Sequence, residues 1–320
     1  MLTMNERAWQ FADALQFRAG ELHIEVQTIA GGARVLDAGV HARGGLAAGR
    51  ALAELCMGGL GHVAFMPLAI AGESWPGVQV WTDHPATACM ASQYAGWAIN
   101  PDGFFAMGSG PLRAKACVER ELFGKLAYSE DAARGVLVLE GRMLPDAAVA
   151  AWVAAKAGVP AHGITFAVAP TASIAGGVQI VARVIETGLH KMDTLGFDVR
   201  RVQSASGTAP IPPVAKNDIR AVGRTNDCIL YGGQARYVIE ASDDELSMLA
   251  ERLPASASAD YGTPFYDTFK RYDNDFYKID PMLFSPGEVW LTSAVSGRTF
   301  HAGQLNPDVL RASLLDVAAR

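Results

Sequence analysis

The side chains best suited to chemistry lie in one stretch, VQIVARVIETGLHKMDTL at residues 178–195. On a helical wheel with about 100° per residue, its polar side chains fall within an arc of about 60°. These side chains are Gln179, Arg183, Glu186 and His190. Apolar residues fill the opposite side. The pattern predicts one amphipathic helix, whose polar stripe is either the solvated face of a surface helix or the wall of a cleft.

Composition limits the kind of protein to which this helix belongs. The chain has 320 residues, of which 50% are hydrophobic and 19% are charged, so it can form one large core or two packed domains. Its net charge of −6 offers no basic surface to DNA or RNA, and we expect no nucleic-acid partner. The most apolar region, residues 55–72, is glycine-rich and contains His62 and Pro67, so it predicts a buried strand and no membrane span.

The N-terminus and the cysteines favour a cytoplasmic protein. Glu6, Arg7 and Asp13 stand where a signal peptide would need an unbroken apolar stretch. The cysteines form no CxxC pair and are expected to be buried thiols in a reducing compartment; they are Cys56, Cys89, Cys117 and Cys228. The seven histidines do not cluster at the spacing of metal ligands, so no metal is expected.

Helical and strand-like segments are mixed without a regular βαβ order, which predicts an α+β fold of two mixed α/β domains. We place the domains at residues 1–165 and 166–320, and discontinuous domains remain an alternative. The pattern predicts a first helix over residues 3–19 and a terminal hairpin in VWLTSAVSGRTFHAG. It predicts strands in RGVLVLEG and ITFAVAPTAS, and between them a helix in LPDAAVAAWVAAKAGV with Asp146 near its first turn. It also predicts a turn and an apolar strand in GRTNDCILYGG at residues 223–233.

The stretch GSGPLR at residues 108–113 opens a predicted helix. Its free amide groups, together with Ser109 and Arg113, could bind an anion. It is neither a Walker loop nor a complete GxGxxG pattern, and a tight turn that needs glycine would explain it as well.

Two further groups of side chains have the chemistry of a binding site. Gln93, Tyr94 and Trp97 in SQYAGW form either an aromatic shelf with an amide for a flat heterocycle or a core cluster. Asn226 and Asp227 either line a pocket or belong to ordinary turn chemistry.

Lys278 interrupts an aromatic run in NDFYKID. It is either a surface lysine or a charged group in a binding cleft.

Taken in order, these motifs resemble those of the methenyltetrahydromethanopterin cyclohydrolases of methanogenic archaea and methylotrophic bacteria. The resemblance runs from GGARVLDAG near residue 31 to the terminal hairpin, and the methylotroph-type branch is the closer match. The motifs that carry it are ASQYAGW, GFFAMGSGP, VARVIE, GRTNDCILYGG, and DFYKID followed by LFSP.

The resemblance implies reversible hydrolysis of the cationic methenyl bridge between N5 and N10 of a reduced pterin, giving the N5-formyl compound. It implies a cytoplasmic homotrimer of two-domain α+β subunits, with the active-site cleft between the domains and no metal or redox cofactor. The family's catalytic arginine and glutamate, three residues apart on one helix, correspond to Arg183 and Glu186.

In this interpretation Glu186 is the general base toward water and the acid toward N10, while Arg183 pairs with it and orients it. The remaining candidates are expected to bind the pterin or its side arm; they are Gln93, Tyr94, Trp97, Ser109, Arg113, Gln179, His190, Asn226, Asp227 and Lys278. One position departs from the family, since His41 stands where asparagine is usual, and a contact there is expected to change.

Three alternatives remain open from the residues. The nearest is a cyclohydrolase that prefers methenyltetrahydrofolate, because the reacting bridge is alike in both pterins. The second is a pterin-binding protein without turnover, against which the presence of both Arg183 and Glu186 argues. The third is an anion-binding α/β protein built around GSGPLR.

Overall fold

The computed structural model describes residues 3–315, with the exception of the Tyr277 side chain. Contacts divide these residues into two units. The first unit comprises the described residues up to His62 together with Thr87–Gln179, and the second comprises Val63–Ala86 together with the described residues from Ile180 onward. The protein thus has the predicted α+β fold with two domains.

Between residues 3 and 315 the strands are, in chain order, β1 Glu25–Thr28, β2 Arg34–Asp37, β3 Gly61–Ile70, β4 Glu73–Thr82, β5 Trp97–Ile99, β6 Ala106–Ser109, β7 Gly135–Glu140, β8 Ile164–Ala169, β9 Val202–Pro210, β10 Gln234–Ile239, β11 Glu288–Ser293 and β12 Thr299–Gly303. The α-helices are α1 Met4–Phe17, α2 Ala19–Leu22, α3 Leu46–Cys56, α4 Pro111–Ala116, α5 Arg120–Leu126, α6 Ala147–Ala157, α7 Ile174–Val181, α8 Val184–Thr194, α9 Asp218–Leu230, α10 Asp243–Arg252, α11 Phe265–Arg271 and α12 Pro307–Leu314. A π-helix spans Ala86–Gln93.

The first unit is built on a six-stranded sheet in the order β1-β2-β8-β7-β6-β5. Its middle strands β2, β8 and β7 run parallel, and β1, β6 and β5 are antiparallel to their neighbours. Helices cover both faces of the sheet. For this reason the sequence of β8, ITFAVA, is buried at every position and reads as a continuous apolar run.

Successive side chains of these strands enter two separate cores, because neighbouring residues of a strand point to opposite faces. Leu36 and Ala167 belong to the core that also contains buried residues of α1 and α3. Val35 and Phe166 belong to the core that contains the apolar side of α6. Helix α6 begins where the Asp146 carboxylate accepts hydrogen bonds from two backbone amides, as its sequence predicts.

The second unit is built on a six-stranded sheet in the order β12-β11-β10-β9-β4-β3. Strands β10 and β11 are parallel, whereas the pairs β9–β10, β4–β9 and β11–β12 are antiparallel. The predicted terminal hairpin is therefore confirmed as β11 and β12. In β10, Tyr237 is buried and its neighbours Arg236 and Val238 are exposed, which is the alternation of a sheet with one covered face.

The division of the chain differs from the single boundary predicted at residues 165/166. Strand β8 pairs in parallel with both β2 and β7, so it lies in the middle of the first sheet. Strand β4 pairs with β9, which places residues 63–86 in the second unit. Long-range strand pairing of this kind is invisible to a reading of composition along the chain. The predicted cleft between the domains stays a prediction.

The predicted first helix is confirmed as α1. The apolar region at residues 55–72 contains the end of α3 and the whole of β3, so a strand is present there, but it is an edge strand that is only partly buried, not the buried strand predicted. Every helix in the described part of the chain is too short or too polar to cross a lipid bilayer. Cys56, Cys89 and Cys228 are buried, as expected, and Cys117 is half-buried.

Candidate active site

The segment that contains Arg183 and Glu186 is not the single helix that its periodicity predicts. Helix α7 ends at Val181 and α8 begins at Val184, so Ala182 and Arg183 lie in a break. The Arg183 amide donates to the Ile180 carbonyl at 2.9 Å, which is a tighter turn than that of an α-helix. Four of the six residues from 180 to 185 are β-branched, and such residues weaken a helix.

The break changes the surroundings of the candidate acid. Arg183 becomes the N-cap residue of α8, and Glu186 becomes its third helical residue. The first turn of a helix presents backbone N–H groups without intrahelical partners, and the helix dipole is positive there. A carboxylate at this position is therefore stabilised by the helix itself, in addition to any pairing with the arginine.

Burial distinguishes the two explanations for the polar stripe. The exposed fractions are 2% for Gln179, 7% for Arg183 and 4% for Glu186, and His190 is half-buried. Solvated faces of helices do not bury charged side chains, because an ionised group loses its hydration when it leaves water. The solvated-face explanation is therefore wrong for these three residues.

Helix α8 is fixed at both its beginning and its end within the second unit. The Tyr237 hydroxyl donates to the Ile185 carbonyl at 2.9 Å, and Gly188 allows this approach, since a Cβ atom there would lie 2.1 Å from the same hydroxyl. Farther along, the Lys191 ammonium donates to the carbonyls of Pro254 and Met282 at 2.7 and 2.5 Å. Glu186 is thus carried on a helix whose position is defined by its neighbours.

Lys191 was not among the predicted site residues, and it is completely buried. Burial away from water lowers the pKa of its ammonium group to about 7, against the raising effect of nearby Asp280. A signal for it exists in the sequence, because this lysine lies on the apolar side of the helical wheel of residues 184–195. Cys56 and Glu119 are two further residues near predicted site residues that the sequence did not indicate.

The SQYAGW motif begins on the π-helix Ala86–Gln93 and leads into β5. Gln93 is fully buried at the end of the π-helix and Tyr94 follows it, half-buried. Trp97 is 4% exposed and belongs to the core on the α6 side of the sheet, where its ring centroid lies 6.0 Å from that of Trp152. The structure therefore keeps Gln93 and Tyr94 together and gives Trp97 a place in the core. π-Helices are rare in proteins, and those that occur are often found at functional sites.

Ser109 and Gln179 are brought close to each other by a third residue. The Cys56 thiol lies 3.4 Å from the Ser109 hydroxyl and 3.7 Å from the Gln179 carboxamide oxygen. All three side chains are buried in the first unit. The sequence places these residues far apart, and only the packing of α3 beside β6 and α7 joins them.

Arg113 is fully buried, and its guanidinium group is directed into the protein. Its Nε donates to the Glu119 carboxylate at 2.9 Å, and its Nη1 donates to the carbonyls of Met90 and Ala91 at 3.2 and 2.9 Å. The group also lies 4.8 Å from the centre of the Tyr94 ring. These contacts describe a structural ion pair and a helix cap, a different use from the predicted anion site.

Asn226 and Asp227 lie on helix α9, so the predicted turn and strand at residues 223–233 are wrong. The Asn217 side chain caps this helix by accepting from the Arg220 amide. The apolar run that suggested a strand is the end of this helix, which is buried at every position. Short apolar segments fit either element, and tertiary packing decides between them.

The Asp227 carboxylate is fully buried and holds the helices of the second unit together. It accepts a hydrogen bond from the Phe265 amide at 2.8 Å and one from the Ser313 hydroxyl at 2.5 Å. Burial away from water raises its pKa to about 7, although both hydrogen bonds act in the opposite direction. The Asn226 amide donates to the Val222 carbonyl at 2.8 Å, one turn earlier in α9.

Two other predicted positions lie at the surface. Lys278 is exposed, and its ammonium group lies 3.4 Å from the Asp273 carboxylate. The His41 ring is exposed as well, and its backbone amide donates to Asp37. Although burial opposes ionisation of Asp37, four backbone N–H groups bind its carboxylate and hold its pKa below the ordinary value.

Side chains that could bind a metal ion do not cluster between residues 3 and 315. No group of three histidine, cysteine, aspartate or glutamate side chains is placed there to hold a metal ion.

Comparison with known proteins identifies the family. The family model described as Cyclohydrolase (MCH) matches residues 3–314. The chain therefore belongs to this cyclohydrolase family, the one that its motifs resemble.

Relatives named methenyltetrahydromethanopterin cyclohydrolase match almost the whole chain. The protein of Methylobacterium sp. (strain 4-46) is 46% identical over 316 residues, which cover 97% of each chain. That of Methylobacillus flagellatus is 46% identical over 293 residues, covering 91% of this chain and 89% of the relative. That of Methanosarcina barkeri is 41% identical over 312 residues, again 97% of each chain. The higher identity with the Methylobacterium and Methylobacillus proteins agrees with the predicted methylotroph-type branch.

Proposed function

We propose that the chain hydrolyses 5,10-methenyltetrahydromethanopterin to 5-formyltetrahydromethanopterin, reversibly, in one-carbon metabolism. The observation that carries this proposal is the match to relatives named for that activity over 97% of each chain, with 46% identity to one of them. The presence of Arg183 and Glu186, three residues apart at the beginning of α8, supports it.

The substrate determines what the enzyme must do. The methenyl carbon is part of an amidinium cation and is already electrophilic, so the reaction needs a positioned water and proton transfer more than further polarisation. Water adds to this carbon and loses one proton to a base. The bond from carbon to N10 then breaks, N10 takes up a proton, and the hydroxyl proton leaves as the formyl group forms. One proton is released overall, which balances the charge of the cation.

Glu186 is our candidate for both proton transfers. Its carboxylate accepts the proton of the attacking water and returns it to N10, and its negative charge favours the cationic substrate. Its position in the first turn of α8 supports this role, because the helix dipole stabilises the ionised form that a general base requires.

Arg183 is our candidate for orienting Glu186. An arginine beside the carboxylate keeps the pair close to neutral, so the cationic substrate is not repelled. The low exposure of both residues strengthens such interactions, since water screens them less. Gln179 and His190 stay candidates for binding the substrate.

The pterin ring is expected to meet Gln93 and Tyr94, which end the π-helix of the first unit. An amide offers a donor and an acceptor to the ring's polar edge, and an aromatic ring offers it a flat surface. The contacts of Arg113 and Asp227 described above favour structural roles for these two residues. The pterin is the substrate, and we propose no metal or redox cofactor.

The cellular setting of the reaction is proposed from family resemblance. We expect a cytoplasmic enzyme that assembles as a homotrimer. Light scattering on the purified protein measures the assembly directly, and a mass equal to one or two chains would contradict the trimer.

The test of the proposed function uses purified protein and two substrates. Methenyltetrahydromethanopterin and methenyltetrahydrofolate are supplied in parallel, and the loss of methenyl absorbance is followed against the uncatalysed rate. We expect acceleration with the methanopterin compound and a lower kcat/KM with the folate compound. A preference for the folate would transfer the assignment to that substrate, and no acceleration with either would overturn the enzymatic function.

A further inference from the structure

Three segments between residues 90 and 119 meet around the buried Arg113 side chain. SQYAGW supplies the end of the π-helix, GSGPLR supplies the arginine, and the segment after α4 supplies Glu119. The guanidinium Nη2 lies 2.9 Å from a Glu119 oxygen, and this arginine is fully buried whereas the glutamate is 24% exposed. All of these residues belong to the first unit.

Arg113 acts on the end of the π-helix. Its Nη1 donates to the carbonyls of Met90 and Ala91, which belong to the last turn of that helix. Carbonyls at a helix end need partners from outside the helix, and the negative end of the helix dipole favours a cation there. A π-helix is less stable than an α-helix, so its persistence depends on such external contacts.

Other contacts fix the residues that follow directly. The Ser92 carbonyl accepts from the Gly110 amide at 2.7 Å, and the Ser92 hydroxyl donates to the Cys56 carbonyl at 2.5 Å. The Tyr94 amide donates to the Cys89 carbonyl at 2.9 Å, and the Arg113 guanidinium lies against the Tyr94 ring. Hydrogen bonds on several sides therefore fix the backbone that carries Gln93 and Tyr94.

Gly96 leaves the space that the Glu119 carboxylate and the Tyr94 ring occupy. A Cβ atom at this position would lie 1.8 Å from a Glu119 carboxylate oxygen and 2.8 Å from the Tyr94 ring. Any larger residue would therefore move Glu119 away from Arg113 or displace the tyrosine.

We propose that Arg113 is a positioning residue for substrate binding: together with Glu119 it holds the end of the π-helix and so sets the placement of Gln93 and Tyr94. This inference rests on the proposed function in one respect, namely that these two side chains contact the pterin. In this proposal Arg113 supports the residues that contact the pterin, and it does not itself bind an anionic group of the substrate.

The test measures KM and kcat separately for Arg113→Lys and Glu119→Gln. Lysine keeps the charge but cannot reach two carbonyls and a carboxylate at once, and glutamine keeps an acceptor for the arginine but removes the ion pair. We expect KM to rise about tenfold in Arg113→Lys and less in Glu119→Gln, with kcat within about threefold of wild type. Arg120→Lys is the matched control, because Arg120 is exposed and nearby in the chain.

A second substrate separates positioning from direct anion binding. This substrate is a methenyltetrahydropterin that keeps N10 and its aryl group, which the methenyl bridge requires, but lacks the anionic end of the side arm. With it, the rise in KM persists if Arg113 positions the pterin wall. It disappears if Arg113 binds the side arm, and that result would overturn the proposal. Unchanged KM in both variants, with only a lower melting temperature, would also overturn it.

Hydrogen exchange makes the result independent of turnover. Amides of residues 90–95 should exchange faster in Arg113→Lys than in wild type and in Arg120→Lys. If wild type itself fails to accelerate the reaction, the proposed function fails, whereas equal exchange in all three proteins would refute the holding of the π-helix.

Discussion

Arg113 and Arg183 are both buried arginines, yet their surroundings give them different expected roles. Arg113 points its donors at the carbonyls of one helix end and at Glu119, so its contacts belong to the framework of the first unit. Arg183 lies at a break between two helices and begins the turn that carries Glu186. Burial of a charged residue is therefore not enough to identify a catalytic group. What separates them is the element each one serves: Arg113 binds the end of the π-helix and Glu119, whereas Arg183 is the N-cap residue of the helix that carries Glu186.

The sharpest test of this contrast is Glu186→Gln. Glutamine keeps the shape of the side chain but cannot accept a proton from water, so kcat should fall by about 10³-fold while substrate affinity changes little. The methenyl absorbance assay gives kcat, and equilibrium titration gives affinity. Glu240→Gln, at an exposed position, is the control and should match wild type. Turnover close to wild type in Glu186→Gln would remove this residue from the mechanism.

The two arginines are next compared by the same substitution. Arg183→Lys should lower kcat about tenfold or more, because lysine lacks the planar group that orients a carboxylate, and should leave the melting temperature nearly unchanged. Arg113→Lys should instead lower the free energy of unfolding by about 2 kcal/mol, since one ammonium group cannot reach both buried carbonyls and Glu119. Steady-state kinetics gives kcat and thermal unfolding gives the melting temperature of both variants. The same pattern of effects in both would show that the contrast is unfounded.

Substitutions of Asp227 test whether this predicted binding residue instead joins α9 to the helices that contain Phe265 and Ser313. Asp227→Ala leaves the Phe265 amide and the Ser313 hydroxyl without their partner and should cost about 2 kcal/mol. Asp227→Asn can keep both hydrogen bonds without a buried charge.

The stability difference between wild type and Asp227→Asn should depend on pH, because the pKa of Asp227 is raised to about 7 in the folded wild-type chain. The stability that this carboxyl contributes is present below its ordinary pKa and is lost as pH rises through about 7. Asp227→Asn should thus gain stability relative to wild type between pH 4 and pH 8, as denaturant unfolding would reveal. Unchanged stability with a raised KM would instead support substrate binding by Asp227.

Lys191 gives the smallest expected effect per pH unit, a change in the slope of stability against pH. Its pKa is lowered to about 7 in the folded chain, from an ordinary value of 10.5. Between these values the unfolded chain binds more protons, so the free energy of unfolding rises with pH. Lys191→Met should flatten this rise by up to about 1 kcal/mol per pH unit. Denaturant unfolding at pH 7, 8 and 9 measures the slope, and parallel curves for both proteins would contradict the shift.

Particular residues show how far sequence reasoning reached. The apolar runs of β7 and β8, the capped helix α6 and the terminal hairpin followed from periodicity, turn residues and Asp146. The same periodicity predicted one helix where α7 and α8 are separate, because a helical wheel assumes continuity and gives little weight to β-branched residues. It also predicted a strand inside α9, where a short apolar run fits both elements.

The sequence indicated which residues belong to the candidate site better than it indicated how they are arranged. Motifs in the right order indicated the family, and the spacing of Arg183 and Glu186 places both within one helical turn. The binding roles predicted for Arg113 and Asp227 stay predictions, but the partners of both side chains favour structural roles. Those partners are Met90, Ala91 and Glu119 for the arginine, and Phe265 and Ser313 for the aspartate.

The sequence by itself determined the family, the type of most elements and the proximity of Arg183 to Glu186, because these depend on neighbours within a few residues. The tertiary structure alone decided which polar side chains are buried and what Lys191, Arg113 and Asp227 bind. Most of these partners are distant in the sequence, as the pairing of Lys191 with Met282, 91 residues later, illustrates. No local pattern encodes such partners, since they exist only after the sheets and helices have packed.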